Sequence, residues 1–240
     1  MSIPKILHYC WFGQSEMPKL EQRCIKRFSK FFPDYEIMRW NENNFDISYN
    51  QYVKEAYDAG KYAYVSDICR LKALYDYGGI YLDADCKVLK PFDDLLNCHA
   101  FTGFGADNRE LAACTLAFEK GDPFIKECLD SYEGTSFIKH DGTYNTYSVN
   151  RRMTAILEKH GFVQNGQKQI INDIIIYPMS YFCPLSMLPD EVKDCKNKST
   201  YSMALWSSKE LKRERSFIVR FAHKTKLNLL KRKILERLKK

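Results

Sequence analysis

An α/β layer built on a mainly parallel sheet is the architecture this chain predicts, and three observations predict it. The first forty residues read strand, helix, strand at short spacing, the pattern of a parallel pair joined by a crossover helix. The stretch from Ala63 to Pro91 reads as a helix that turns through two glycines into a short apolar strand. The chain's 240 residues suffice for one sizeable core, and no compositional break divides it. One domain over 1–216, followed by a basic amphipathic helix over 217–240, is the expected organisation.

Ile3 to Phe12 is the first buried strand, ended by Gly13. A helix from Ser15 puts Leu20, Cys24, Phe28 and Phe31 on one face and stops at Pro33. Tyr35 to Trp40 forms the next strand, Asn41 to Asn44 a polar turn, and Tyr49 to Ala59 a helix. In the central stretch Val65, Ile68, Leu71 and Tyr75 recur at steps of three and four, an apolar stripe against a core. Gly78 and Gly79 close that helix, and Ile80, Tyr81 and Leu82 form a strand buried on both faces.

Asp83 and Asp85 follow at once. On an extended backbone, residues two apart point the same way, so the two carboxylates are expected on one face at the strand's end. They repel unless a cation lies between them, and hard oxygen ligands suit Mg²⁺ or Mn²⁺. Asp67 and Arg70, three residues apart, share a face of the preceding helix. A bare D-x-D also arises wherever a strand runs into a solvated turn. The combined string S-D-x-x-R, helix, Y-G-G-I-Y-L-D-x-D is what raises the metal reading above that alternative.

Carried by that string and by the opening I-P-K-I-x-H-x-x-W from Ile3 to Trp11, the chain resembles the D-x-D sugar-transferase family. That family includes bacterial capsular-polysaccharide transferases and the fungal initiating mannosyltransferase. More distantly, the chain is similar to the glucosyltransferase domain of the large clostridial toxins. The resemblance implies a GT-A (Rossmann-like) nucleotide-sugar-binding domain and a retaining, metal-dependent transfer from a nucleotide diphosphate sugar, UDP-sugar favoured. It implies that Asp85 binds Mn²⁺ (or Mg²⁺) directly, while Asp83 holds the donor ribose and the metal's water shell. It further implies that Ser66, Asp67 and Arg70 grip donor hydroxyls and phosphate oxygens, and that Tyr81 lies at the donor site. Trp11 falls where members stack the nucleobase, although a core role fits its strand equally. His8 is expected as a core histidine or a donor near the base.

Past Pro91, Phe92 to Leu96 is a short helical turn, and Ala100 to Gly105 and Leu111 to Phe118 are strands. Asp122 and Pro123 cap and open a helix through Tyr132 that buries Phe124, Cys128 and Leu129. His140 to Asn150 is a polar loop with the make-up of a lid or acceptor wall, and Ser148 caps a helix over Val149 to Lys159. Family members carry a donor-facing asparagine or threonine hereabouts, for which Asn145 and Asn150 are the candidates. Ile170 to Tyr177 reads as one strand interrupted by Asn172 and Asp173, and the aromatics of Y-P-x-x-Y-F-x-P, Tyr177 to Pro184, as packing. Thr200 to Trp206 is a last strand. Relatives have a histidine pair there, where this chain has Ala204 and Leu205; Trp206 and Ser207 are the candidates to close over the donor phosphate.

The charge is uneven. The net +7 comes entirely from Lys224 to Lys240, since residues 1–223 hold 29 basic and 29 acidic side chains. Leu227, Leu230, Ile234 and Leu238 share one face of this tail, which suits an anionic membrane surface, or docking on the chain's own domain. Nucleic acid is disfavoured, because the region around the acids has no comparable basic patch. Nine cysteines without a C-x-x-C pair are not a disulfide framework; Cys69, Cys86 and Cys128 read as small buried hydrophobes. A cytoplasmic protein, peripheral at the inner face of a bacterial plasma membrane, follows as the expectation, with no secretion signal and no spanning run.

The leading reading is therefore hexose transfer to a glycan acceptor, lipid-linked, in capsule, exopolysaccharide or lipopolysaccharide synthesis. A hydrolase has no use for the S-D-x-x-R helix. A catalytically silent glycan- or partner-binding module of the same fold is the alternative, motivated by the altered histidine motif.

Overall fold

The computed structural model describes residues 2–185 and 195–205. A seven-stranded sheet has the order β2-β1-β3-β6-β5-β8-β7, with β1 at Ile6–Cys10, β2 at Glu36–Trp40 and β3 at Gly79–Leu82. β5 spans Ala100–Gly103, β6 Thr115–Phe118, β7 Gln169–Ile171 and β8 Ile174–Tyr177. β1 pairs in parallel with both β2 and β3, and β5 with β8; β6 and β7 pair antiparallel with their neighbours. Five strands thus run one way and two the other, which meets the expectation of a mainly parallel α/β sheet. A separate ribbon pairs β4, Cys86–Val88, with β9, Ser202–Ala204.

Helices α2 (Gln51–Asp58), α3 (Tyr62–Tyr77), α4 (Pro123–Asp130) and α5 (Val149–Lys159) share one apolar cluster on one side of the sheet. α1 (Lys19–Phe31) and the β4–β9 ribbon pack on the other, with Phe92, Phe101, Phe182 and Tyr201 between them. Strand alternation sorts β3 between the two cores: Ile80 and Leu82 join the α1 side, and Tyr81 joins the α3 side. Asp122 and Ser148 cap α4 and α5 as their positions imply, accepting from the amides of Ile125 and Arg151.

Five elements depart from expectation. The strand expected over Leu111 to Phe118 begins only at Thr115, after a turn. α1 begins at Lys19, after Pro18, because its N-cap is that proline and not Ser15. The Ile170–Tyr177 run is a hairpin: Asn172 and Asp173 adopt left-handed φ of 48° and 63°, a turn that folds β7 back on β8. Within the described residues 200–205, the strand expected over Thr200 to Trp206 shortens to β9 and pairs outside the main sheet. α3 is buried around far more than a stripe, including Cys69, Ala73 and Leu74 as well as Val65, Ile68 and Leu71, while Tyr75 stays half-buried. A helix enclosed this way carries its polar residues inside with it.

The α3–β3 junction requires both its glycines. Gly78 and Gly79 have φ of 68° and 103°. A Cβ on Gly79 would lie 2.5 Å from the Ile6 carbonyl oxygen, and one on Gly78 2.6 Å from the Lys120 amide. Only without side chains can β3 leave the helix directly alongside β1.

Candidate active site

β1 leads through α1 to β2 on one side, while the chain returns through α2 and α3 to β3 on the other. The crevice at the carboxyl ends of β1 and β3 is therefore a topological switch point, where open α/β sheets bind their ligands. Trp11 leaves β1 there and Asp83 leaves β3.

Period-two alternation carries Asp83 to the same side as Tyr81, facing α3. Its Oδ1 accepts a hydrogen bond from the Tyr81 hydroxyl at 3.0 Å and lies 3.1 Å from Arg70 Nη1. Arg70 also reaches Asp67 Oδ1 at 3.0 Å, donates to the Ala113 carbonyl at 2.8 Å and to the Ser66 carbonyl at 3.2 Å, and lies over the Tyr81 ring 4.6 Å from its centroid. One guanidinium thus joins two acids, and its fork is held from three sides. Asp67 and Arg70 are only 8% and 7% exposed.

Asp83 and Asp85 are not on one extended face. The ladder continues to Asp83, whose amide donates to the Cys114 carbonyl, but the Cys86 amide then turns back to the Asp83 carbonyl at 2.8 Å. The D-x-D therefore forms a turn between β3 and β4, and this corrects the strand-based expectation. The reason is the pairing of Cys86 with Ala204, which starts a new sheet one residue beyond Asp85. The acids still feel each other. Burial pushes the Asp83 carboxyl up to about 7, Arg70 pulls it down, and the Asp85 charge adds to the rise. A third of the Asp83 side chain, 32%, remains open, so water moderates that penalty.

Burial also raises the Asp67 pKa, against the lowering effects of Arg70, the Val149 amide and the more distant Arg152 charge. The Val149 N–H belongs to the first residue of α5, so that helix presents its N-terminus to Asp67. Burial would weaken the Arg70 charge, but Tyr81, Asp83 and Asp67 outweigh it and its pKa is raised well above the ordinary value.

Of the other expected residues, Ser66 lies on α3 with its hydroxyl bonded to the Tyr62 carbonyl, so its backbone carbonyl rather than its hydroxyl supports Arg70. Trp11 is half-buried, packs against the α1-side core and donates from Nε1 to the Ser15 carbonyl at 3.3 Å. Asn150 lies in the first turn of α5, at the end that meets Asp67. Asn145 is engaged in its loop: its amide nitrogen reaches the Ser136 carbonyl and its oxygen accepts from the Tyr147 amide. His8 is a core histidine. Its Nδ1 accepts from Trp40, leaving Nε2 to donate to the Gly78 carbonyl, and burial lowers its pKa. Trp206, Ser207 and the 217–240 tail lie outside the described residues.

Two contributions were not foreseen, the Ala113 carbonyl and the Val149 amide. Both are backbone groups, to which a residue-type motif is blind; the Ser148 cap marks the helix start but not what that start would face.

The acid pair can be tested as a metal site. Mg²⁺-like ions take one or two carboxylates and complete their shell with water and substrate phosphate oxygens. Asp83 keeps Oδ2 outside its Arg70 and Tyr81 contacts, and Asp85 is half-exposed on the adjoining turn. The donor set fits such an ion. Among the described residues, no group of three or more His, Cys, Asp or Glu side chains forms a protein-only metal site.

A sheet of this topology with acids, arginine and an aromatic at its switch point defines the class: a GT-A-like glycosyltransferase fold. Residues 18–102 match the family described as a glycosyltransferase sugar-binding region containing a DXD motif. The chain is 29% identical over 143 residues to inositol phosphoceramide mannosyltransferase 3 of Schizosaccharomyces pombe, covering 58% of this chain and 40% of that protein. Against lactosylceramide 4-alpha-galactosyltransferase of Mus musculus it is 26% identical over 157 residues, covering 60% and 41%. The chain thus spans about two fifths of the length of these relatives. Among solved structures the PaToxG glycosyltransferase shares the fold, with a TM-score of 0.52 and 19% identity over 66% of this chain and 69% of that one.

Proposed function

We propose that this chain is a metal-assisted hexosyltransferase that moves a sugar from a nucleotide diphosphate donor, a UDP-sugar, to a glycan acceptor with retention of configuration. The observation that carries this reading is the buried guanidinium of Arg70 held between Asp67 and Asp83 at the switch point. A departing nucleoside diphosphate develops negative charge on its phosphate oxygens, and a preorganised cation in a water-poor site stabilises it at little reorganisation cost. Arg70 supplies that charge. Asp67, oriented by Arg70 and the α5 N-terminus, accepts hydrogen bonds from donor hydroxyls. Tyr81 and Arg70 hold Asp83 on one oxygen and leave the other for the ribose or an ion's water shell. Asp85 and Asp83 would hold Mn²⁺ or Mg²⁺, which when bound supplies Lewis-acid neutralisation of the diphosphate. Trp11 flanks the crevice as the stacking surface for the base.

The test is release of nucleoside diphosphate from a panel of nucleotide sugars by the purified chain, with Mn²⁺ and with chelator. Chelator-sensitive release from one donor is expected. If no donor is turned over and none raises the melting temperature, the silent binding module replaces the enzyme.

The acceptor in this reading is a lipid-linked glycan of capsule or lipopolysaccharide synthesis, met at the cytoplasmic face of a bacterial membrane. Support comes from the composition of the tail, which concentrates the whole excess of positive charge beside an apolar stripe. Deletion from Lys224 should release the chain from vesicles rich in anionic lipid; unchanged sedimentation with them would end the membrane assignment.

A further inference from the structure

The loop that leaves the carboxyl end of β5 comes out on the same edge of the sheet as Trp11 and Asp83, because β5 runs in the same direction as β1 and β3. Two contacts fasten this loop to α5: the Leu111 amide donates to Thr154 Oγ1 at 2.9 Å, a buried bond, and Glu110 Oε1 lies 3.0 Å from Arg151 Nε. Between loop and helix lies an open groove of about 150 Å³ lined by Glu110, Tyr147, Arg151, Thr154 and Glu158. That is room on the order of one sugar ring, in a groove open to solvent. Tyr147 and Arg151 line it at the α5 N-terminus, and they bracket Val149, whose amide lowers the Asp67 pKa. The groove therefore starts at the end of α5 that faces Asp67, the carboxylate assigned to the donor in the function proposed above, and runs along the helix to Glu158.

Its chemistry suits a carbohydrate. Tyr147 is 42% exposed, and Ile138 and Tyr144 on the same loop are comparably open. Exposed large apolar side chains on a loop at an active edge invite a ligand with an apolar face. A pyranose offers such a face in its axial C–H groups and a ring of hydroxyls around it. Glu110 can accept from those hydroxyls, and Arg151, 64% exposed at its side chain, can donate to them. The Tyr147 hydroxyl, bonded to the Arg151 carbonyl at 3.4 Å, sets the ring on the helix. The loop needs no rearrangement to present these groups, since Thr154 already holds it.

We infer that this groove is the acceptor subsite, in which one sugar unit of the acceptor stacks on Tyr147 and is held through its hydroxyls by Glu110 and Arg151. This rests on the transferase reading of the neighbouring crevice. The geometry orders the two sites: donor in the crevice between β1 and β3, acceptor against α5, with Asp67 and the α5 N-terminus between them.

The test uses the full chain on a printed array of tagged oligosaccharides, alongside Tyr147→Ala, Tyr147→Phe and Arg151→Ala, each checked for an unchanged melting temperature. The expected result is retention of a subset of glycans by the wild type, loss of at least tenfold in apparent affinity in Tyr147→Ala and Arg151→Ala, and near-full retention in Tyr147→Phe, which keeps the ring. Undiminished retention by Tyr147→Ala, or retention of no glycan by the wild type, would overturn the assignment. The donor reading is scored separately, by the shift in wild-type melting temperature with nucleotide sugars and Mn²⁺. A donor shift with no effect of Tyr147 sinks this subsite alone.

Discussion

Two polar clusters in this protein have the same make-up, one basic side chain between two acids, and opposite characters. At the carboxyl end of the sheet Arg70 lies between Asp67 and Asp83; behind β5, His99 lies between Glu119 at 3.1 Å and Asp122 at 2.7 Å. In the second cluster Asp122 also caps α4, so its charge is spent on holding a helix to a strand. In the first, Tyr81 and Arg70 both engage Asp83 through Oδ1 and leave its Oδ2 outside those contacts, and burial raises the Asp83 pKa to about 7. The difference shows how to tell a clip from a site. A clip satisfies every charge within the protein, whereas a site pays to bury groups whose last partners must come from outside.

The largest effect that would break this contrast belongs to Arg70. Arg70→Lys keeps the charge but loses the fork that spans Asp67, Asp83 and the Ala113 carbonyl, and donor turnover should fall by about 10²–10³. Retention of wild-type kcat under saturating donor would mean that Arg70 is itself only a clip.

Next comes the proton on Asp83. Its pKa in the folded chain, about 7, is raised above that of an exposed carboxyl, so below pH 7 a metal must displace a proton to use this group. Apparent Mn²⁺ affinity, read by calorimetry in the absence of donor, should rise about tenfold between pH 6 and pH 8 and level off above that. The rise should vanish in Asp83→Asn. A pH-independent affinity would remove Asp83 from the metal site.

The smallest effect lies in the clip. Burial works to lower the His99 pKa, but its hydrogen bonds to Glu119 and Asp122 and their charges outweigh it, leaving it raised. The stabilisation is therefore full below the unfolded-state value, near pH 6.5, and is lost as pH rises through the higher folded-state value. With solvent screening of a partly exposed pair, it is on the order of 1 kcal/mol. His99→Gln should lower the melting temperature at pH 5.5 and converge on the wild type at high pH, with donor turnover untouched. A turnover loss matching that of Arg70→Lys would erase the distinction between the clusters.

Much of the site was legible because its chemistry lies within one contiguous stretch. Asp67 and Arg70 share a helical face by simple periodicity, Gly78 and Gly79 mark a turn that no other residue can make, and Tyr81 leads by alternation to Asp83. Where local rules failed, a partner distant in sequence had intervened. The D-x-D is a turn because β9 pairs with Cys86 across more than a hundred residues, and the Asn172–Asp173 interruption is a hairpin because β8 had β5 to join. The stripe expected on α3 underestimates its burial because α2, α4 and the sheet converge on it.

By itself the amino-acid sequence determined the α/β class, the order of the strands and helices around the glycine junction, and the identities of the acids and the arginine, since these follow from periodicity, capping and backbone sterics acting over a few residues. Only the tertiary structure decided that Arg70 would bridge Asp67 and Asp83, that the α5 N-terminus would meet Asp67, and that Glu110 and Arg151 would close a groove beside it. Those contacts join segments 13 to 82 residues apart, and their energies depend on burial, which exists only after the chain has packed.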